Sequence, residues 1–145
     1  MAEKTFGMIK PEGIQYRTEI KRRILAAGLE IELETELVLT ETQFEELYGH
    51  VKNNVPRVYQ DFKLYMTSNP VVMFRINGEK AKEKLLELRG ASNASEAKPG
   101  TIRGDYAHDQ DYKTLYAQGQ FAKNVFHAAD VCDAERMVNL FFKGK

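Results

Sequence analysis

Apolar positions along the chain recur with two spacings, and the switches between them mark the elements. Thr5 to Lys10 is short and mostly apolar and ends at Pro11-Glu12-Gly13, which predicts a strand followed by a turn. Thr18 is placed to cap a helix ending at Gly28, with Ile20 and Ile24 one turn apart and Lys21, Arg22 and Arg23 toward water. Ile31, Leu33, Leu37 and Leu39 alternate with Glu32, Glu34, Glu36 and Val38, a period of two that predicts a half-exposed strand. Thr40 and Gln43 form a capping box, and Phe44, Leu47, Tyr48 and Val51 follow at helical spacing.

Asn53, Asn54 and Pro56 break that helix; Val58, Phe62, Tyr65 and Met66 predict another, stopped near Asn69-Pro70. Val71 to Ile76 is rich in β-formers. Asn77 is placed to cap a helix to Leu88, with Ala81, Leu85 and Leu88 on one stripe. Gly90 to Gly104 turns to Gly, Ser, Asn, Ala and Pro and predicts a long loop. Residues 105–123 give no clear period, Lys123 to His127 predicts a short strand, and Asp130 or Asp133 opens a last helix with Ala134, Met137, Val138 and Phe141 inside. The order predicts an α+β, ferredoxin-like βαββαβ fold, a four-stranded antiparallel sheet covered by helices, over residues 1–145 as one domain.

Composition narrows the function. Lys plus Arg is 21 and Asp plus Glu is 21, so broad, non-specific binding to nucleic acid or an anionic membrane is not expected. The longest apolar runs fall far short of the roughly 20 residues of a membrane span, and the N-terminus shows no leader-like apolar segment. The single cysteine, Cys132, fits a reducing, cytoplasmic setting.

The usual chemical signatures are missing. There is no G-x-x-x-x-G-K-[ST], no G-x-G-x-x-G, no C-x-x-C and no G-x-S-x-G, and His50, His108 and His127 lack metal-ligand spacing. Polar residues instead gather at the ends of elements: Lys10, Tyr48, Arg103, Asn124 and His127. Singly, each has a structural explanation: a core tyrosine, a surface ion pair of Arg103 with Asp105, a histidine at a strand end.

Together they carry a resemblance. Ile9-Lys10-Pro11-Glu12-Gly13, Ser68-Asn69-Pro70-Val71-Val72, Lys98-Pro99-Gly100-Thr101-Ile102-Arg103-Gly104-Asp105-Tyr106 and Asn124-Val125-Phe126-His127-Ala128-Ala129-Asp130 resemble the nucleoside diphosphate kinase family, in family order, within a match from Thr5 to Phe142. The resemblance implies the same ferredoxin-like sheet. It implies transfer of a γ-phosphoryl group from a nucleoside triphosphate, typically ATP, to a nucleoside diphosphate through a phosphohistidine at His127, which would maintain nucleotide pools. Lys10 and Arg103 would neutralise phosphate oxygens, Tyr48 would lie beside the lysine, Asn124 would bond sugar hydroxyls, and Ser92 would bond the β-phosphate. Mg²⁺ would be held mainly by the nucleotide, not by a protein ligand set. A homo-oligomer, a dimer-based tetramer or hexamer, is implied as well.

The chain departs from the family at defined positions. The family serine two residues after the histidine is Ala129, and a glutamate of the last helix is Met137. Glu135 lies about 200° around that helix and is no evident substitute. A family arginine becomes Leu86, with Lys82 and Arg89 on the same helical face as candidates to compensate. The base-stacking phenylalanine aligns with Val58. Arg103 and Asn124 stand 21 positions apart where the family has about ten, which implies an insertion of about eleven residues within 105–123. These departures keep a second reading open, a catalytically weak nucleotide-binding or scaffolding relative. A third, an RNA-binding module of similar fold, is disfavoured by the glutamate-rich strand from Glu30 to Thr40. His50 and Cys132 receive no role.

Overall fold

The computed structural model describes residues 2–54 and 56–145. Four strands form one antiparallel sheet: β1 (Ala2–Ile9), β2 (Glu30–Val38), β3 (Pro70–Glu79) and β4 (Phe126–Ala128), in the order β2-β3-β1-β4. Among the described residues seven α-helices connect and cover it: α1 (Arg17–Ala26), α2 (Glu41–Tyr48), α3 (Pro56–Met66), α4 (Ala81–Arg89), α5 (Ile102–Tyr106), α6 (Tyr112–Ala117) and α7 (Ala134–Phe142). The expected α+β architecture is what the chain forms.

Both faces of the sheet are buried. Phe6 and Met8 of β1 and Val71 and Met73 of β3 pack with Phe44, Tyr59, Phe62 and Met137 from α2, α3 and α7. Ile9, Val72, Phe74 and Ile76 face the other way, against Ile20, Ile24 and Leu85 of α1 and α4. This two-sided burial is why the central strands read as apolar runs and only β2 alternates. Even there the alternation is broken. A bulge between Ile31 and Leu33 pairs them with Ile76 and Arg75, so Ile31 joins one core while Leu33 and Leu37 join the other. The bulged Glu32 meets Arg75 and Lys4 at 3.0 and 3.1 Å.

Some ends follow the sequence. Thr40 Oγ1 accepts from the Gln43 amide at 3.1 Å and Gln43 Oε1 from the Thr40 amide at 2.9 Å, the expected capping box. Gly28 (φ 83°) ends α1; its amide donates to Leu25 and the Leu29 amide to Ile24, a Schellman closure. Other ends differ. Thr18 lies inside α1, because Pro11–Tyr16 forms a 3-10 turn that leads directly into it. Asn77 stays in β3, and α4 starts at Ala81, its Lys82 amide satisfied across the fold by Glu3 Oε1 at 2.9 Å. The expected loop of 90–104 contains the start of α5, capped by Thr101, whose hydroxyl accepts from the Gly104 amide at 3.0 Å. Asp133 sits at the N-cap position of α7 but spends its carboxylate on Arg136.

Candidate active site

The sheet positions the site through β4. Its register sets His127 opposite Met8, so the imidazole projects from the same face as Phe6 and Met8, under α2 and α3. Lys10 follows β1 directly, and its amide donates to the Val125 carbonyl at 2.8 Å. The strand expected from Lys123 begins only at Phe126. Val125 has φ 77°, and the Phe126 amide donates to the Asn124 carbonyl at 2.9 Å, so a tight turn reverses the chain just before His127. A β-branched residue in that region is strained and persists only where its surroundings hold it. Gly13 allows the turn to sit there: a Cβ at this position would meet the Val125 carbonyl oxygen at 2.6 Å.

A cleft of about 250 Å³ opens above His127. All eight residues picked out in the sequence line it: Lys10, Tyr48, Val58, Arg89, Ser92, Arg103, Asn124 and His127. The Lys10 ammonium donates to Asn124 Oδ1 at 2.7 Å and lies 5.4 Å from the Tyr48 ring and 5.1 Å from the Phe62 ring. Arg103 caps the start of β4. Its guanidinium donates to the Phe126 carbonyl from Nη2 at 2.8 Å and Nε at 3.2 Å, and to the Ser92 carbonyl from Nη1 at 2.9 Å. Arg89 donates to the Gly90 carbonyl at 3.0 Å. Among the described residues, none of these three cations forms an ion pair. The Arg103–Asp105 pair is not formed; Asp105 holds Arg23 at 2.7 Å instead.

The electrostatics follow from burial and crowding. Burial lowers Lys10 to about 8, Glu12 opposing the fall and Arg103 adding to it. Arg103 is lowered to about 9 by burial and by Arg89. His127 is pulled well below its ordinary 6.5, first by burial and then by Lys10, Arg103, Arg89 and His50, so its imidazole is neutral at physiological pH. No hydrogen bond holds its ring among the described residues; the edges of Tyr48 at 5.4 Å and Phe6 at 6.3 Å confine it. Met137 and Ala129 are buried apolar neighbours of that core. The Tyr48 hydroxyl is buried without a partner among the described residues, and burial raises it above its ordinary range. A buried donor left unpaired is unfavourable unless something else takes its hydrogen bond.

Of the two candidates to compensate for Leu86, only Arg89 reaches the cleft. Lys82 sits near the far end of α4, beside Glu3 and Glu135. The cleft also contains residues that sequence reasoning passed over. Phe62 is one turn after Val58 on α3, a spacing that would have revealed it. Tyr116, Phe121 and Ala122 come from the segment 105–123, whose aperiodic sequence offered no such signal. The exposed His50 and the aspartates Asp130 and Asp133 also line the cleft.

A two-faced antiparallel sheet whose cleft sets a neutral histidine among cations without ion pairs, among the described residues, has the chemistry to hold a polyanion beside a nucleophile. Residues 3–145 match the family model for nucleoside diphosphate kinase. The chain is 36% identical over 143 residues to a nucleoside diphosphate kinase of Methanocorpusculum labreanum, covering 97% of this chain and 87% of that one. It is 35% identical to the nucleoside diphosphate kinase of Nitrosococcus oceani, covering 99% and 93%. A nucleoside-diphosphate kinase from Borrelia burgdorferi, solved as a transition-state mimic with bound vanadate and ADP, superposes with a TM-score of 0.87 at 28% identity, over 99% of this chain and 88% of that one. The chain belongs to the nucleoside diphosphate kinase family. No helix among the described residues is long and apolar enough to cross a membrane.

Proposed function

We propose that this protein transfers the γ-phosphoryl group of ATP or another nucleoside triphosphate to a nucleoside diphosphate by a ping-pong route through a phosphohistidine at His127. The observation that supports this reading is the neutral His127 imidazole facing a cleft whose cations Lys10, Arg89 and Arg103 have, among the described residues, no carboxylate in ion-pair contact. A neutral ring nitrogen attacks the γ-phosphorus as the bond to the β–γ bridging oxygen breaks, and the nucleoside diphosphate leaves with that electron pair. A second diphosphate then takes the phosphoryl group from the ring by the reverse displacement.

The remaining residues position and neutralise charge. Lys10 and Arg103 face the phosphates, Arg89 and Ser92 take the β-phosphate, and Asn124 takes sugar hydroxyls. Val58, with Phe62, supports the base. The orphaned Tyr48 hydroxyl supplies a donor that a phosphate oxygen can satisfy. The cleft fits a Mg²⁺ that arrives on the nucleotide: it is mainly cationic, and of its two aspartates Asp133 is engaged by Arg136 while Asp130 remains beside Arg89. The nucleotide's phosphate oxygens would hold the ion, which supplies charge neutralisation. The segment within 105–123 is an insertion of about eleven residues that adds Tyr116 and Phe121 to one wall. Cytoplasmic action as a dimer-based tetramer or hexamer completes the reading.

Incubation with γ-labelled ATP tests it. The expected product is an acid-labile, base-stable phosphoprotein that passes its label to GDP and is missing in His127→Ala. A protein that binds ATP and takes no label overturns the reading. The lack of a hydrogen bond to the His127 ring among the described residues favours one second reading, a catalytically weak nucleotide-binding relative; slow labelling with unimpaired nucleotide affinity would identify it.

A further inference from the structure

Glu12 lies half-buried in the 3-10 turn after β1, and its carboxylate bonds residues far along the chain. Oε2 accepts from the Val125 amide at 2.9 Å, and Oε1 accepts from the Tyr65 hydroxyl of α3 at 2.9 Å. Both sides of Val125 are therefore held, its amide by Glu12 and its carbonyl by the Lys10 amide at 2.8 Å. This is the residue with φ 77°. On one side of it Asn124 accepts from Lys10, and on the other Phe126 accepts from Arg103. His127 comes next, with no hydrogen bond on its ring among the described residues, so its place depends on the backbone that delivers it.

We propose that Glu12 is a positioning residue for phosphoryl transfer, clamping the Val125 turn so that His127 and Lys10 are held at one working separation. The clamp rests on the reading of His127 as phosphoryl carrier. Over-determination of this kind is what lets a strained turn persist at a site. The same carboxylate supports the charge of Lys10, against Arg103 and burial; the rings of Tyr48 and Phe62 and the neutral His127 complete the surroundings of the ammonium.

Two variants separate position from charge. Glu12→Ala removes the acceptor; Glu12→Gln keeps an oxygen for the Val125 amide and removes the charge. Single-turnover labelling with γ-labelled ATP, ADP titration and amide exchange at Val125 are measured on the full chain. Glu12→Ala is expected to slow labelling about 10–100-fold, the scale of a small misplacement of reacting groups, with ADP affinity changed less than about threefold. Its Val125 amide should exchange at least about tenfold faster. Glu12→Gln should label within about threefold of wild type at neutral pH and keep the amide protected. Its alkaline limb should begin below that of the wild-type protein, in which Lys10 titrates at about 8. Wild-type labelling and exchange in Glu12→Ala overturn the inference, as does a rate loss matched by an equal loss of ADP affinity. If the wild-type protein takes no label, the His127 reading falls and with it the role of the clamp. An unchanged alkaline limb in Glu12→Gln removes the electrostatic part.

Discussion

Arg103 grips the carbonyl oxygen of Phe126, the residue beside His127, from Nη2 at 2.8 Å and Nε at 3.2 Å while Nη1 reaches Ser92. One planar fork thus ties the start of β4 to the Ser92 loop while its charge, among the described residues, meets no carboxylate in the cleft. A lysine cannot reproduce this, because it is a single point donor on a flexible stem. Arg103→Lys is expected to lose about 1.5–3 kcal/mol of stability from the released buried carbonyls, and to slow His127 labelling at least tenfold. Urea denaturation and single-turnover labelling check the two effects. Unchanged stability would mean that the fork is not holding the strand.

Lys10 offers a test in which stability and activity move apart. The folded protein holds Lys10 at about 8, whereas its ordinary value is 10.5. Between those limits the unfolded chain binds the extra proton, so folding stability rises with pH across that window and the charged lysine is destabilising below it. Lys10→Met should raise the unfolding free energy at pH 7.5, read from urea denaturation, by up to about 3 kcal/mol from the linkage of that shift, and abolish the rise toward pH 10.5. Labelling should fall by at least two orders of magnitude. A less stable Lys10→Met would contradict the electrostatic assignment.

His127 gives the acid side. Its depressed titration keeps the imidazole neutral in the free protein, so labelling at sub-saturating ATP should not halve near the ordinary value of 6.5 as the pH falls from about 7.5 to 6. The stability sign is the same as for Lys10. Below 6.5 the unfolded chain takes a proton that the folded histidine refuses, so stability falls with acidification, and it should fall less in His127→Asn. Parallel denaturation series of the two proteins read this difference.

Gly13→Ala would place a methyl 2.6 Å from the Val125 carbonyl oxygen and 2.8 Å from its Cγ1. The contact is with backbone, so the turn must move. The expected loss is about 1–3 kcal/mol, the usual scale of overpacking, together with at least tenfold slower labelling. Denaturation and labelling of one preparation would show both. Normal labelling at reduced stability would mean that the turn tolerates displacement without moving His127.

Much of this was legible in the chain itself. The period-two and 3.6 spacings, the Thr40–Gln43 box and Gly28 located the sheet, the helices and two of their ends because those signals act over a few residues. Lys10, Arg103, Asn124 and His127 were legible as a set only through the order of four motifs. Arg89 and Lys82 were indistinguishable by helical phase; α4 carries one to the cleft and the other toward Glu3, a difference set by which end of the helix faces β4. Tyr116 and Phe121 gave no sequence signal, since their segment has no period and is held by long-range bonds such as Asn93 to Asp111 at 2.9 Å.

By itself, then, the sequence determined the α+β order of elements, because periodicity and capping are local properties, and its four motifs carried the family resemblance and part of the cleft lining. The tertiary structure decided three things. The β2 bulge divides one apolar stripe between two cores. A valine at positive φ, instead of a longer strand, delivers His127. Burial among other cations makes Lys10 weakly basic and His127 neutral. Each depends on what residues far away in the chain bring to the same place: Arg75 at the bulge, Glu12 and Gly13 at the turn, Arg103 at the histidine.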